Sequence, residues 1–273
     1  MDKAVFQDSF SSWKMRKSPF ICHEGYFDNA HAPRVANWHK DPEILACYEG
    51  EGSVFLDTRQ VPFFKGDVVF VNADTVHRVY TEGSDNIRYR FLIVDEAFFE
   101  FVELPVQKLR FCEHVRDRAV FEAFDDIVKA YETESSVRAA KSVEALSHFL
   151  SLYASVYPPV TRESGEVGDP AADVREAIRY IRAHLDAPMP VEEIASHVGL
   201  SRAHFSRLFK RFTGRSLVEY CNVLRCEEAR KRIAAGETVS DAARACGFSH
   251  MSYFSAVYKR FMGVSPSSDA QDR

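Results

Sequence analysis

Ile194-Ala-Ser-His-Val-Gly-Leu-Ser201 returns as Ala242-Ala-Arg-Ala-Cys-Gly-Phe-Ser249, an offset of 48 residues. One inserted residue later the offset is 49: Phe205-Ser206 reappears as Phe254-Ser255, and Lys210-Arg-Phe-Thr-Gly214 as Lys259-Arg-Phe-Met-Gly263. Two copies of one unit therefore lie between Val191 and Gly263. In the first, Val191, Ile194, Ala195 and Val198 share one helical face. Gly199 suits the left-handed residue that ends such a helix, and Ser201 can cap the next by accepting its free N–H groups. Phe205, Leu208, Phe209 and Phe212 then form a stripe for burial, which leaves Arg202, Ala203, Ser206, Arg207 and Lys210 facing outward. The second copy repeats the scheme with Ala242, Ala243 and Cys246, the Gly247 turn, Ser249 as cap, and Phe254, Val257, Tyr258 and Phe261 as its stripe. A short helix, a turn and a longer helix make a helix-turn-helix, whose second helix enters the major groove of duplex DNA. The alternative is an all-helical bundle in which the repeat serves packing alone.

Between the copies, Ser216 to about Ala235 reads as one continuous helix ending at Gly236. It is roughly 30 Å long, close to the ~34 Å of one DNA turn, so it can act as a rigid spacer between two reading helices. The whole chain of 273 residues carries a net charge of −5, which argues against DNA until the charge is divided. Residues 170–273 hold 16 Lys and Arg against 12 Asp and Glu; the remainder holds 19 against 28. The basic charge sits with the repeat, where it attracts phosphates and makes binding weaken steeply with salt.

These residues resemble the DNA-binding domain of AraC/XylS-type transcriptional regulators, over roughly the last hundred residues. The matching pattern is Ile-Ala, Gly-Leu-Ser and Phe-Ser-Arg-Leu-Phe-Lys-Arg in the first copy. In the second it is Ala-Ala, Gly-Phe, Tyr-Phe-Ser and Tyr-Lys-Arg-Phe, closing on Gly-Val-Ser-Pro266. The tandem pair with this spacer is far more specific than a lone helix-turn-helix. Carried over residue by residue, the resemblance assigns Arg202, Ala203, Ser206, Arg207 and Lys210 to the first DNA face. It assigns His250, Met251, Ser252, Ser255 and Lys259 to the second. Arg207 is the candidate for a bidentate guanine contact. Ala256 departs from the basic or long polar residue common there, so the first unit is expected to carry most sequence discrimination. The tail Ser265-Pro-Ser-Ser-Asp-Ala270 departs from the aromatic and basic ending usual after that Pro.

Upstream, short strands alternate with turns: Glu43–Tyr48, Ser53–Asp57, Val61–Phe64, Val68–Val71, Arg78–Thr81 and Ile87–Val94, the pattern of a small barrel or sandwich. Trp38-His39-Lys40-Asp41-Pro42-Glu43-Ile44 resembles the opening strand of the cupin-like sensor domain of the same regulators. Gly66-Asp67, Asn72 and His77 resemble its later segment, with Asn72 where Pro is usual. The resemblance implies a pocket inside the barrel. Strand alternation would put His39, Asp41 and Glu43 on one face, and with His77 they form a set resembling cupin metal ligands. The two-His first motif of catalytic cupins is reduced to one His and the Glu comes sooner. Trp38, His39, Glu43, His77 and Tyr89 are therefore expected to contact an organic effector, with no metal or other cofactor.

Val120, Phe121, Phe124, Ile127, Val128 and Tyr131 follow helical spacing, as do Val143, Leu146, Leu150, Tyr153 and Tyr157. The second set makes a seam suited to helix pairing, and the resemblance implies dimerisation there. Pro158-Pro159 and the polar stretch after them read as a linker. The expected architecture is α+β in two domains. Residues 1–157 would form a cupin-like effector-binding and dimerisation domain, 158–170 a linker, and 171–273 a DNA-binding domain with units at about 190–214 and 238–263. Six cysteines without paired CxxC spacing and an N-terminus without an apolar run suggest a cytoplasmic protein with free thiols.

The resemblance further implies an activator bound to double-stranded promoter or operator DNA as a homodimer. It would touch RNA polymerase and answer to a small molecule, a sugar or related catabolite, with no membrane partner. Two other classes stay open: a metal-dependent cupin enzyme fused to a DNA-binding domain, and an effector-independent architectural DNA binder. The sequence holds no nucleophile-base motif and no phosphate-cradling glycine loop, so catalysis is the weakest of the three.

Overall fold

A computed structural model of the protein describes residues 18–27, 35–81, 86–162 and 169–271. It divides into a sheet unit, which includes residues 38–167, and a helical unit, which includes residues 168–273 together with Val35–Asn37.

The sheet unit contains β1 (Phe20–Phe27), β2 (Glu43–Glu49), β3 (Glu51–Leu56), β4 (Arg59–Phe64), β5 (Val68–Val71), β6 (His77–Tyr80) and β7 (Ile87–Val94). Then come α1 (Glu96–Phe101), β8 (Leu109–Arg110), β9 (His114–Val115), α2 (Arg118–Glu132), α3 (Arg138–Val156) and β10 (Val160–Thr161). Five strands pair in the order β1-β7-β2-β5-β9 and three in the order β4-β3-β6, all antiparallel, while β8 pairs with β10.

Alternation decides what each face meets. The odd-numbered residues Leu45, Cys47, Val69, Val71, Tyr89, Phe91 and Ile93 of the large sheet join Val54, Leu56, Val61, Phe63 and Val79 of the small one in a single apolar cluster. The even-numbered Ile44, Ala46, Val68, Phe70, Leu92 and Val94 pack instead against Phe124, Leu146, Phe149, Leu150 and Tyr153 of α2 and α3. The unit is thus a flattened barrel of two sheets with helices over one outer face.

Three expectations change here. The strand β1 precedes the expected opening strand and pairs with β7 from Phe20↔Val94 to Phe27↔Ile87. Residues 38–42 are not strand, because β2 begins at Glu43. The seam on α3 does not await a second copy: Leu146, Leu150 and Tyr153 are buried against the chain's own sheet and α2, and Tyr157 Oη donates to Asp117 at 3.2 Å. Helical periodicity marks a face for burial without saying whose surface covers it. Asn72 explains its own departure from Pro. Its amide donates to Phe111 O at 3.1 Å and accepts from Phe111 N at 2.8 Å, as a neighbouring strand would, and proline cannot do this.

The helical unit runs α4 (Pro170–Ala183), α5 (Val191–His197), α6 (Arg202–Thr213), α7 (Leu217–Ala234), α8 (Val239–Ala245), α9 (Met251–Met262) and α10 (Pro266–Gln271). Ser201 caps α6, and Ser216 with Glu219 forms a reciprocal capping box on the spacer helix α7. The second copy differs. His250, not Ser249, precedes α9 and makes no side-chain cap, since the single inserted residue moves the helix start one place along. Arg225 of α7 donates to Leu185 O at 2.8 Å and Ala187 O at 2.6 Å, fastening the turn between α4 and α5 to the spacer. The atypical tail forms α10, where Asp269 accepts from Tyr258 Oη at 2.6 Å and pairs with Arg230 at 3.1 Å.

Candidate nucleic-acid interface and buried His-Glu-His site

Phe205, Leu208, Phe209 and Phe212 are buried along α6, so Arg202, Ala203, Ser206, Arg207 and Lys210 stand exposed on its other side. On α9 the burial of Phe254, Val257, Tyr258 and Phe261 leaves Met251, Ser252, Ser255, Ala256 and Lys259 exposed, with His250 just before them. Each expected group of DNA-facing side chains is therefore gathered on one helix face. Arg202 pairs with Glu192 of α5 at 2.7 Å, both exposed. Such a surface pair is worth about 0–1 kcal/mol and exchanges readily for a phosphate. Arg207 and Lys210 have no ion-pair partner among the described residues.

Two further exposed side chains share these faces: His204 on α6, and Tyr253 on α9, whose Oη accepts from Asn222 of the spacer at 2.9 Å. Both lie at the edge of the buried stripe by helical spacing, so the sequence pattern alone does not assign them to either side.

In the sheet unit, three of the five expected effector residues meet. Glu43 opens β2 and His77 opens β6, strands of different sheets that bring their first residues to the same end of the flattened barrel. His39 arrives from the loop before β2, its backbone carbonyl accepting from Asp74 N at 3.1 Å. The Nε2 atoms of His39 and His77 lie 3.1 and 3.0 Å from the same oxygen, Glu43 Oε2. On the far side of each ring, Nδ1–H donates to a main-chain carbonyl: His39 to Asp41 O at 2.5 Å and His77 to Thr75 O at 2.9 Å. Burial by itself would push the Glu43 carboxyl up, but attraction to His77 and the hydrogen bonds of both rings hold it well below the usual carboxylate range. Burial disfavours charge on His77 as well, yet Glu43 outweighs it and raises that imidazole above its ordinary value.

The other expected members stand apart. Tyr89 is a core residue rather than a pocket wall: it is 1% exposed, edge-on to Phe63, and its ring lies where a Cβ on Gly25 would be. Its inward alternation, correctly read, leads into a region filled by apolar side chains. Asp41 does not join the cluster; its Oδ1 accepts from Glu96 N at 2.9 Å. Trp38 is half-buried beside His39 in the chain. Just upstream, Ala36 is buried in the helical unit, where its carbonyl accepts from Tyr220 Oη at 2.7 Å, and Asn37 Oδ1 accepts from Arg182 at 3.1 Å.

No helix among the described residues is long and apolar enough to cross a membrane. Residues 18–150 match the AraC-like ligand binding domain, and residues 194–271 match a helix-turn-helix domain of the type found in such regulators. The chain is 25% identical over 268 residues to the transcriptional activator RhaR of Pectobacterium atrosepticum, covering 91% of this chain and 94% of that one. It is 37% identical over 94 residues to the regulatory protein PocR of Salmonella typhimurium; that match covers 34% of this chain and spans only 31% of PocR. Its fold is similar to that of apo ToxT from Vibrio cholerae, with a TM-score of 0.53 at 15% identity over 93% of this chain and 97% of that one. The chain therefore joins an AraC-like ligand-binding domain to an AraC-type helix-turn-helix domain, and its homologues are AraC and RhaR transcriptional regulators.

Proposed function

We propose that the protein is a cytoplasmic activator which binds promoter or operator DNA as a homodimer. It engages RNA polymerase when a small-molecule effector, a sugar or related catabolite, occupies residues 1–157. It acts by binding and not by catalysis, with 158–170 as the joint to the DNA-binding domain, 171–273. The observation that carries the DNA reading is the exposed face of α6, where Arg207 and Lys210 have no ion-pair partner among the described residues and stand opposite a buried apolar stripe, in a chain that repeats the same unit 49 residues later. The activator role is supported by likeness to an activator along most of the chain, and the dimer and polymerase contact by family resemblance.

Effector control is supported by the path of the chain. The Tyr220 and Arg182 contacts hold Ala36 and Asn37 to the helical unit, and two residues later His39 enters the buried cluster of the sheet unit. A ligand that repositions His39 acts on a segment anchored to the DNA-binding helices, which is how differential binding biases one arrangement over another.

Two measurements test this. Arg207→Ala is expected to weaken binding by about 1–3 kcal/mol at one base position, read by titrating an operator and its single-base variants. Equal loss on operator and random DNA would make Arg207 a phosphate contact instead. A thermal-shift screen of the full chain against sugars, sugar acids and aromatic acids is expected to find a ligand. At a hundred times its dissociation constant such a ligand adds about 2.7 kcal/mol. Silence across those classes, with DNA binding intact, would favour an effector-independent architectural binder.

A further inference from the structure

The buried cluster at the end of the flattened barrel brings two imidazole nitrogens and a carboxylate oxygen to one point. A carbonyl oxygen only accepts, so the contacts to Asp41 O and Thr75 O fix the proton of each imidazole on Nδ1. Each Nε2 then faces a carboxylate oxygen that only accepts, and these three ligand atoms all lie within 4.8 Å of one another. Either protons on Nε2 or a bound cation must hold them together.

We infer that His39 Nε2, His77 Nε2 and Glu43 Oε2 are the protein ligands of a divalent transition-metal ion. Metal bonds of about 2.1 Å to nitrogen and oxygen place neighbouring ligand atoms roughly 3.0–3.4 Å apart at octahedral or tetrahedral angles. The observed separations of Nε2 from Oε2 are 3.1 and 3.0 Å. Imidazole and carboxylate suit first-row ions such as zinc, iron, cobalt and nickel, and a backbone carbonyl behind each ring is the outer support that holds a metal-binding histidine in its tautomer and orientation. Three ligands leave at least one coordination position for an oxygen or nitrogen of a small molecule. The low exposure of Glu43 and His77 keeps competing water few. The spacing rule that argued against a metal, one His in the first motif and an early Glu, assumes that His39 and Glu43 share a strand. They do not: the loop before β2 turns His39 back over Glu43, so the ligands meet despite the altered spacing.

The inference concerns residues also assigned to the effector, but rests on their convergence and not on any effector. The test takes full-length protein stripped by chelator and titrates it with Zn2+ by calorimetry and with Co2+ by visible absorption, with DNA binding measured on the same samples. One ion per chain is expected, with weak ligand-field bands for Co2+ and no thiolate charge-transfer band. His77→Ala and His39→Ala are each expected to weaken binding by about 100-fold or more, above the roughly 10–100-fold that loss of an outer partner causes. His39 sits in a loop, so its variant keeps the test decisive if His77→Ala fails to fold. Absence of uptake would overturn the inference and leave protons holding the cluster. So would a thiolate band, or affinity unchanged in both variants. DNA binding that persists in stripped protein leaves the regulator reading standing whichever way the metal falls.

Discussion

Truncating His77 to Ala is expected to lower the unfolding free energy of the metal-free protein by about 3–5 kcal/mol, the range for breaking a buried charge pair from one side. The carboxylate of Glu43 cannot follow the change. It is 5% exposed, and without His77 the side-chain partner that remains to it among the described residues is His39, held from a loop. A cavity the size of an imidazole adds to the loss. The instructive comparison is Glu43→Ala, which leaves no uncompensated buried carboxylate and so costs less. The double variant removes the orphaned charge and should be less destabilised than the two single changes summed, with a coupling of roughly 0.5–3 kcal/mol. Trp38 is half-buried and adjoins His39 in the chain, so urea unfolding followed by tryptophan fluorescence is sensitive to this part of the protein. Strict additivity of the two substitutions would mean that the cluster is not an energetic unit.

Legibility in the sequence followed the reach of each signal. The helical half was readable almost to the residue because its information is local and stated twice. The stripes Phe205, Leu208, Phe209, Phe212 and Phe254, Val257, Tyr258, Phe261 are all buried, and Gly199 and Gly247 take the positive φ that ends a first helix. The one slip, Ser249 as cap, came from treating the copies as identical across an insertion. The strands from β2 to β7 were also visible, since alternation is local. What alternation does not contain is the identity of the opposing surface. It points Tyr89 inward without revealing that Phe63 and Gly25 already fill the space around its ring, and the helical spacing of α3 likewise does not say that the chain's own sheet covers the seam that the resemblance assigns to a second copy.

The buried cluster shows the same limit from the other side. Its three members were named from the sequence, yet for a geometry that the structure replaces. His39 and Glu43 come together through a loop turn and His77 through the pairing of two sheets, contacts separated by up to 34 residues in sequence. A side chain's residue type suggests its chemistry, but the tautomer that aims its lone pair depends on a carbonyl two residues away, and no pattern in the sequence states that.

Gly199→Ala and Gly247→Ala are the same substitution at equivalent positions of the repeat, and they are expected to differ sharply. Both glycines are left-handed, with φ of +71° and +81°, so each alanine bears about 1–2 kcal/mol of backbone strain. Around Gly199 a new Cβ meets nothing within 4 Å, and strain is the whole effect. At Gly247 the Cβ would stand 2.9 Å from Asp186 O and 3.1 Å from Leu185 O, both main-chain atoms. That turn cannot retreat cheaply, because Arg225 holds Leu185 O and Ala187 O on either side of Asp186. Overpacking therefore adds about 1–3 kcal/mol, for a total near 2–5 kcal/mol at Gly247. Thermal unfolding followed through the helical circular dichroism, with operator binding beside it, separates the terms. Gly199→Ala should lower the melting temperature modestly, whereas Gly247→Ala should lower it further and weaken binding as the second turn is pushed off the turn between α4 and α5. Equal shifts would show that this contact yields without resistance, and that the two helix-turn-helix units are not locked together through the Arg225 turn.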